Sequence, residues 1–170
     1  MSERGHVPFR ILVSPTGQPI SCKAFSSSAE FRHTACKALM KRARFHPATG
    51  RDGKPYHGVF NYIMRFAIAG TRRTARPDQA DVVLTVAQLP EGLKNPAYVH
   101  LTFLVKADGG VDGCAADDLD PGTQLGEIAC EQALAVHRPT VQKDENDQPV
   151  DAVDRMRVRF QLPPEKPSQD

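Results

Sequence analysis

Apolar residues recur at every second position in several short stretches of the chain, and this spacing predicts β-strands. The first such stretch is 9–13, where Phe9, Ile11 and Val13 alternate. The Thr-Gly pair at 16–17 predicts a turn, and a second short strand then runs to Cys22. The beginning of the chain therefore predicts a β-hairpin.

The next stretch changes to helical spacing, with apolar residues three and four positions apart between 29 and 44. "SSAE" at 27–30 forms a capping box, in which the Ser27 hydroxyl accepts from the Glu30 amide. The predicted apolar face consists of Phe31, Ala35, Cys36, Leu39, Met40 and Ala43. Pro47 is expected to end the helix, and "DGKP" at 52–55 predicts a turn before a strand that ends in "MRF".

The same order of features recurs later in the chain. The corresponding positions, at offsets of 92 or 94 residues, are Ile11–Phe103, Val13–Val105, Gly17–Gly109, Cys22–Cys114, Cys36–Cys130 and Phe66–Phe160. The second helix is predicted to end near Pro139 and to have the apolar face Leu125, Ile128, Ala129, Ala133 and Val136. These matches predict two divergent copies of one unit.

Together these patterns predict an α+β fold made of two β-β-α-β repeats, each a small antiparallel sheet with a helix packed on one face. We expect the first repeat at 6–69 and a linker at 70–80. The second, divergent repeat is expected at 81–162, with an extra leading strand at 81–89, and a disordered tail at 163–170.

Each predicted repeat has one cysteine at the end of its second strand and one on the buried helix face. This recurrence favours two disulfides, Cys22–Cys36 and Cys114–Cys130, each of which would stabilise its unit by roughly 3 kcal/mol. Four buried free thiols are the alternative. Zinc is disfavoured because the chain has no C-x-x-C motif and no closely spaced Cys/His quartet.

The net charge of +2 conceals a strong division between the two halves of the chain. Residues 1–76 contain 14 Lys and Arg against three acidic residues, and residues 77–170 contain eight against 17. The basic half could face the acidic half or an external anionic partner. Nucleic acid is disfavoured, because the basic helix face (His33, Lys37, Lys41 and Arg44) has neither an aromatic stacking platform nor a helix-turn-helix pattern.

The sequence carries none of the common catalytic, phosphate-binding or dinucleotide-binding motifs, so we predict that the protein is not an enzyme and uses no cofactor or metal. No apolar run approaches the roughly 18 residues of a transmembrane helix. The amino end, "MSERGHVPFR", has no apolar core of a signal peptide. A periplasmic location would therefore require a leader that is absent from this chain, and the cytoplasm is the alternative.

The order of these motifs resembles the TonB carboxy-terminal domain family, in particular its cysteine-containing alphaproteobacterial type. The motifs are the first hairpin, "SSAEF", "RARFHPA", "DGKP" and the final "MRF". The resemblance covers 7–68 well, and 97–162 more weakly through "ADGGVDGC", "IACEQAL" and "VRF". It implies a periplasmic module whose last strand pairs with an extended peptide, such as a segment of an outer-membrane transporter.

The candidate edges are the last strands of the two repeats, Val59–Phe66 and Ala152–Phe160. The predicted peptide-binding residues are Val59, Asn61, Tyr62, Met64, Arg65, Met156, Arg157 and Arg159. In the alternative hypothesis, the edges pair with each other or in a homodimer, and the protein is a self-contained structural or dimerising periplasmic protein.

Overall fold

The computed structural model describes residues 5–26, 28–66, 80–117 and 124–164. It has an α+β fold with two helices, which confirms the predicted class. The elements are β1 (Gly5–Val13), β2 (Pro19–Ala24), α1 (Ala29–Arg42), β3 (Ala48–Thr49), β4 (Pro55–Phe66), β5 (Val82–Thr85), β6 (Ala97–Val105), β7 (Val111–Ala116), α2 (Gln124–Val136), β8 (Gln142–Lys143), β9 (Pro149–Val150) and β10 (Ala152–Gln161).

The chain divides into two compact units. The first contains Met1–Asp78, Leu104–Gly113 and Thr140–Arg155, and the second contains Gln79–Phe103, Cys114–Pro139 and Met156–Asp170. Three strands, β6, β7 and β10, contribute residues to both units.

In the first unit, β1 is the central strand of an antiparallel arrangement with β2 and β4. Its register with β4 runs without interruption from the pair Gly5–Phe66 to the pair Val13–Gly58. The turn between β1 and β2 contains Gly17 at a φ of +83°. A Cβ at this glycine would collide with the carbonyl oxygen of Phe45, so the position requires glycine for both its conformation and its close packing.

Helix α1 lies on the face of the sheet formed by Val7, Phe9, Ile11 and Val13, all of them buried as the alternation predicts. Ala35 is 3% exposed, and Cys36 and Leu39 pack against this cluster. The helix ends at Arg42, and the Phe45 amide then donates to the Gly17 carbonyl at 3.0 Å. The prediction that Pro47 ends the helix is wrong, because the chain turns back to the β1–β2 turn first. The predicted cap residue Ser27 and the Phe31 side chain lie outside the described residues.

Strand β10 enters the first unit beside β4 and in parallel to it, with Ala152 opposite His57 and Val153 opposite Gly58. Parallel neighbours need a long crossover connection, and the segment between β4 and β10 is long enough to provide one. The prediction that each repeat forms a small antiparallel sheet is therefore wrong at this strand, which pairs in parallel with β4. Ala152 packs with Leu12 and Val59 in a second cluster of buried residues.

In the second unit, β5 pairs in parallel with β10, from Val82 opposite Val158 to Thr85 opposite Gln161. The predicted leading strand at 81–89 is thus present in a shorter form. Helix α2 buries Leu125, Gly126, Ala129 and Ala133. Val136 is 68% exposed, so its predicted place on the buried face is wrong, and the apolar face ends before the last residue of the helix.

Both predicted disulfides are present, and the alternatives of free thiols and zinc are wrong. Cys22 of β2 is joined to Cys36 of α1, with a Cα–Cα distance of 5.6 Å. Cys114 of β7 is joined to Cys130 of α2, with a Cα–Cα distance of 5.9 Å. Each disulfide therefore fastens a helix to a strand of its unit.

Neither helix in the described part of the chain is long and apolar enough to cross a membrane.

Candidate functional site: the outer edge of β4

Strand β4 is 12 residues long and is paired differently along its two sides. One side pairs with β1 from Gly58 to Phe66. The other side pairs with β10 at His57 and Gly58. From Val59 to Phe66, β4 pairs with β1 among the described strands. The side of this segment that faces away from β1, which we call its outer side, is therefore where an added strand would pair.

Next to the end of the β4–β10 ladder, the side chains of Arg10, Asn61 and Asp154 form a hydrogen-bonded series, which we call the polar row. Asp154 of β10 is 4% exposed, and its Oδ1 accepts hydrogen bonds from Asn61 Nδ2 at 3.2 Å and from the Arg155 amide at 2.7 Å. Arg10 Nε donates to Oδ1 of the same Asn61 at 3.0 Å. These bonds stabilise a buried carboxylate that would otherwise be costly. The row begins one residue beyond the last pair of the β4–β10 ladder, Val153 with Gly58.

Two exposed aromatic side chains follow the outer edge of β4. Phe60 and Tyr62 are 39% and 48% exposed, and their rings stack with centroids 5.9 Å apart and an interplanar angle of 12°. They are opposite Ile11 and Phe9 in the register with β1 and therefore lie on the same face of the sheet as α1. We call Phe60 and Tyr62 the β4 aromatic pair.

The predicted binding residues of β4 have different surroundings. Val59 belongs to the second buried cluster, and Met64 packs against the cluster beneath α1. Asn61 is exposed but is part of the polar row. The backbone of Arg65 is opposite His6, and its side chain lies outside the described ones. The prediction omitted Phe60, although its two-residue spacing from Tyr62 could have identified it.

The predicted residues of β10 lie in a strand whose two ends are occupied. Met156 is 3% exposed. The Arg157 amide donates to Asp81 Oδ2 at 2.7 Å, and its guanidinium carbon lies 4.0 Å from the centroid of the Tyr98 ring. Arg159 is opposite Val83 of β5. The prediction of an open edge along Ala152–Phe160 is therefore wrong, because β10 pairs with β6 as well as with β4 at its beginning and β5 at its end.

The turn that precedes β4 is held by one carboxylate. Asp52 accepts from the Lys54 amide at 3.1 Å and from the Tyr56 hydroxyl at 3.1 Å. The bond from the Lys54 amide is the main cause that lowers the pKa of Asp52, and the Tyr56 hydroxyl adds to it. In turn, the bond to Asp52 raises the pKa of Tyr56. These two hydrogen bonds hold the turn at the start of β4.

Groups of three or more His, Cys, Asp or Glu side chains that could hold a metal ion do not occur among the residues that the structure describes.

Residues 1–68 match the family described as "Gram-negative bacterial TonB protein C-terminal". The match covers 68 of the 170 residues and ends two residues after β4. No curated protein and no solved structure matches the chain significantly. The similarity to a known family therefore includes the strand with the candidate edge and does not extend to β10.

Proposed function

We propose that the protein is a non-catalytic, TonB-like periplasmic module that binds an extended protein segment. The segment adds as a strand to the outer edge of β4, and it belongs to an outer-membrane transporter. The family match of residues 1–68 supports the class of partner. The two disulfides support an oxidising compartment such as the periplasm, since structural disulfides are rare in reducing ones.

The observation that carries this proposal is the pairing of β4. Its ladder with β10 is two residues long, whereas its ladder with β1 continues through Phe66. Strand addition obtains affinity from main-chain hydrogen bonds and specificity from alternate side chains. From Val59 onward, β4 pairs with β1 among the described strands and has an exposed aromatic pair beside its outer side, and this segment suits both requirements.

We further propose that 81–162 is a second, divergent copy of the same unit that no longer accepts a peptide. The sequence offsets support a common origin, and so do the equivalent disulfides, which join the second strand to the helix in each copy. The pairing of β10 with β5 explains why the second copy would have lost the function.

One observation favours a second function, that of a self-contained structural protein. Ala152 and Val153, from the last strand of the second copy, pair with the last strand of the first. In this hypothesis the edge is used within the chain or in a homodimer. Sedimentation velocity over a range of concentrations would reveal a dimer, and a monomer that binds no peptide would support the purely structural role.

The decisive experiment uses backbone methylation of the partner. An array of periplasm-facing segments of outer-membrane transporters is screened against the full, oxidised chain, and the best peptide is resynthesised in two forms. Each form has N-methyl groups on one of the two sets of alternate residues. Strand addition predicts that one form loses binding and the other keeps it, because only one set of amides faces β4. Equal affinities of the two forms, or no binding peptide in the array, would contradict the proposal.

A further inference from the structure

We propose that the β4 aromatic pair selects the sequence of the partner strand. The partner carries aromatic or β-branched side chains at two alternate positions that lie beside Phe60 and Tyr62, and acidic residues at its two ends. This inference rests on the proposed function, because it assumes that the strand adds to β4.

The pair is anchored on its inner side and exposed on its outer side. Phe45 lies against Phe60 with ring centroids 5.0 Å apart, and Phe9 lies against Tyr62 at 5.7 Å. Phe9 itself is 3% exposed, so the burial of the aromatic cluster decreases toward the outer edge of β4. Rings held in this way lose little conformational freedom when a partner covers them, and aromatic pairs add favourable energy beyond the area they bury.

The geometry of strand addition then determines which positions of the partner contact the pair. In a sheet, neighbouring strands place side chains opposite each other on the same face, and successive residues point to opposite faces. Phe60 and Tyr62 are two residues apart, so their neighbours in the partner are also two residues apart. Cross-strand pairs of aromatic with aromatic or β-branched residues are the favourable ones at such positions.

The opposite face of β4 makes a weaker demand on the partner. Asn61 lies there between Arg10 and Asp154, and both of its side-chain amide atoms already form hydrogen bonds. The partner residue between the two selected positions therefore faces a satisfied polar row, and a small polar side chain such as serine is sufficient.

Charge decides between a peptide and a second copy of the chain as the occupant. The segment 5–66, which contains β1 to β4, has ten Lys and Arg but only Glu30 and Asp52 as acids. A second copy paired through β4 would bring the same excess of positive charge to the interface. An acidic peptide would instead be attracted, and opposite charges favour both the rate and the register of association.

The test compares three fluorescent peptides on the full, oxidised wild-type chain by anisotropy. The first is Glu-Val-Ser-Tyr-Ser-Val-Glu, and the second has the same composition in the order Glu-Val-Tyr-Ser-Ser-Val-Glu, in which no two aromatic or β-branched residues lie two positions apart. The third replaces both glutamates of the first with lysine. We expect the second and third peptides to bind about tenfold more weakly than the first, in line with the energies of cross-strand and aromatic pairs. Equal affinities of the first and second peptides would overturn the inference.

Single substitutions test whether Phe60 and Tyr62 cause the preference for the first peptide. Phe60→Ser and Tyr62→Ser should each bring the first peptide close to the affinity of the second. Phe25→Ser is the matched control, since Phe25 is 48% exposed in the first unit but lies outside β4 and should not matter. If a serine variant does not fold, the comparison of the peptides on the wild-type chain still decides.

The failure of this inference can be told from failure of the proposed function. If methylation shows strand addition but the alternating and rearranged peptides bind equally, only the selectivity is wrong. If no peptide binds, strand addition fails and the inference fails with it. A chain that forms a dimer lost in Tyr62→Ser, and that binds no peptide, would overturn the choice of an acidic peptide as the occupant.

Discussion

Strands β4 and β10 end in similar motifs, "MRF" at 64–66 and "VRF" at 158–160, but their environments differ. In β10, Met156, Val158 and Phe160 are 3%, 0% and 0% exposed. In β4, Phe60 and Tyr62 at the same two-residue spacing are 39% and 48% exposed. The difference therefore lies outside the shared motif, since Phe60 and Tyr62 precede "MRF" and Met64 within it packs against the core.

The difference arises from what each strand meets on its outer side. β5 extends along the end of β10, where Asp81 and Arg157 also exchange hydrogen bonds through their amides. β10 pairs with β4 at two residues, Ala152 and Val153, and beyond them Asn61 of β4 donates a hydrogen bond to Asp154 of β10. Four sets of substitutions test this contrast between a core strand and an edge strand.

The greatest loss of stability is expected when Phe160 is truncated, and Phe60 provides the comparison. Phe160→Ala should lower the free energy of unfolding by about 3–5 kcal/mol, because it leaves a cavity in a closed core. Phe60→Ala should cost about 1 kcal/mol or less, since part of this side chain is already in water. Urea denaturation of both variants measures the difference. Losses of equal size would show that β4 is as enclosed as β10.

The next effect concerns the disulfides. Replacing both members of either pair with serine should cost roughly 3 kcal/mol, since the sequence separations of 14 and 16 residues are similar. The local consequences should differ, because α1 buries Ala35 alone among its described side chains, whereas α2 buries four residues. We expect amide hydrogen exchange to accelerate more in α1 than in α2. Equal acceleration in both helices would show that packing holds α1 as firmly as α2.

A smaller loss of stability should follow removal of the Asp154 carboxylate next to the end of the β4–β10 ladder. Asp154→Ala should lower the free energy of unfolding by about 2 kcal/mol, because the part-buried hydrogen bonds from Asn61 Nδ2 and the Arg155 amide lose their acceptor. Asp112→Ala is the control, since this residue forms an exposed ion pair with Lys106 and should change stability by less than about 0.5 kcal/mol. Thermal denaturation compares the two. If the control is as destabilised as Asp154→Ala, the polar row has no special role.

The smallest effect is expected in the turn before β4. The lowered pKa of Asp52 stabilises the fold above its ordinary value of 3.8, and this contribution is lost as the pH falls through the folded-state pKa. The raised pKa of Tyr56 stabilises the fold below its ordinary value of 10.0, and this contribution is lost as the pH rises through the folded-state pKa. Tyr56→Phe should therefore reduce stability slightly at neutral pH and flatten its pH dependence at both extremes. Melting curves across this range would refute the assignment if wild type and variant keep a constant difference.

Local patterns in the sequence predicted the features that depend on near neighbours. The alternation of Phe9, Ile11 and Val13 predicted β1, and the recurrence of the cysteines predicted both disulfides. The interior position of β10 could not be predicted in this way, because it depends on β4 and β5, which lie far away in the sequence. The hydrogen bond from Phe45 to Gly17 that follows α1 likewise joins residues far apart in the sequence.

The candidate site was predicted in part. The role of Asn61 and Tyr62, predicted from their place in the last strand of the first predicted repeat, stays a prediction, whereas Phe60 was omitted and Val59 is part of the core. In β4, Phe60, Asn61 and Tyr62 are exposed in succession, which depends on what covers the two faces of the strand and is not reported by local spacing.

The most direct test of strand addition to β4 is amide hydrogen exchange of the full, oxidised chain with and without a saturating transporter peptide. We predict slower exchange along Val59–Phe66 when the peptide is present, and unchanged exchange along Ala152–Phe160. Protection confined to Ala152–Phe160, or a bound peptide that protects neither strand, would contradict the central claim.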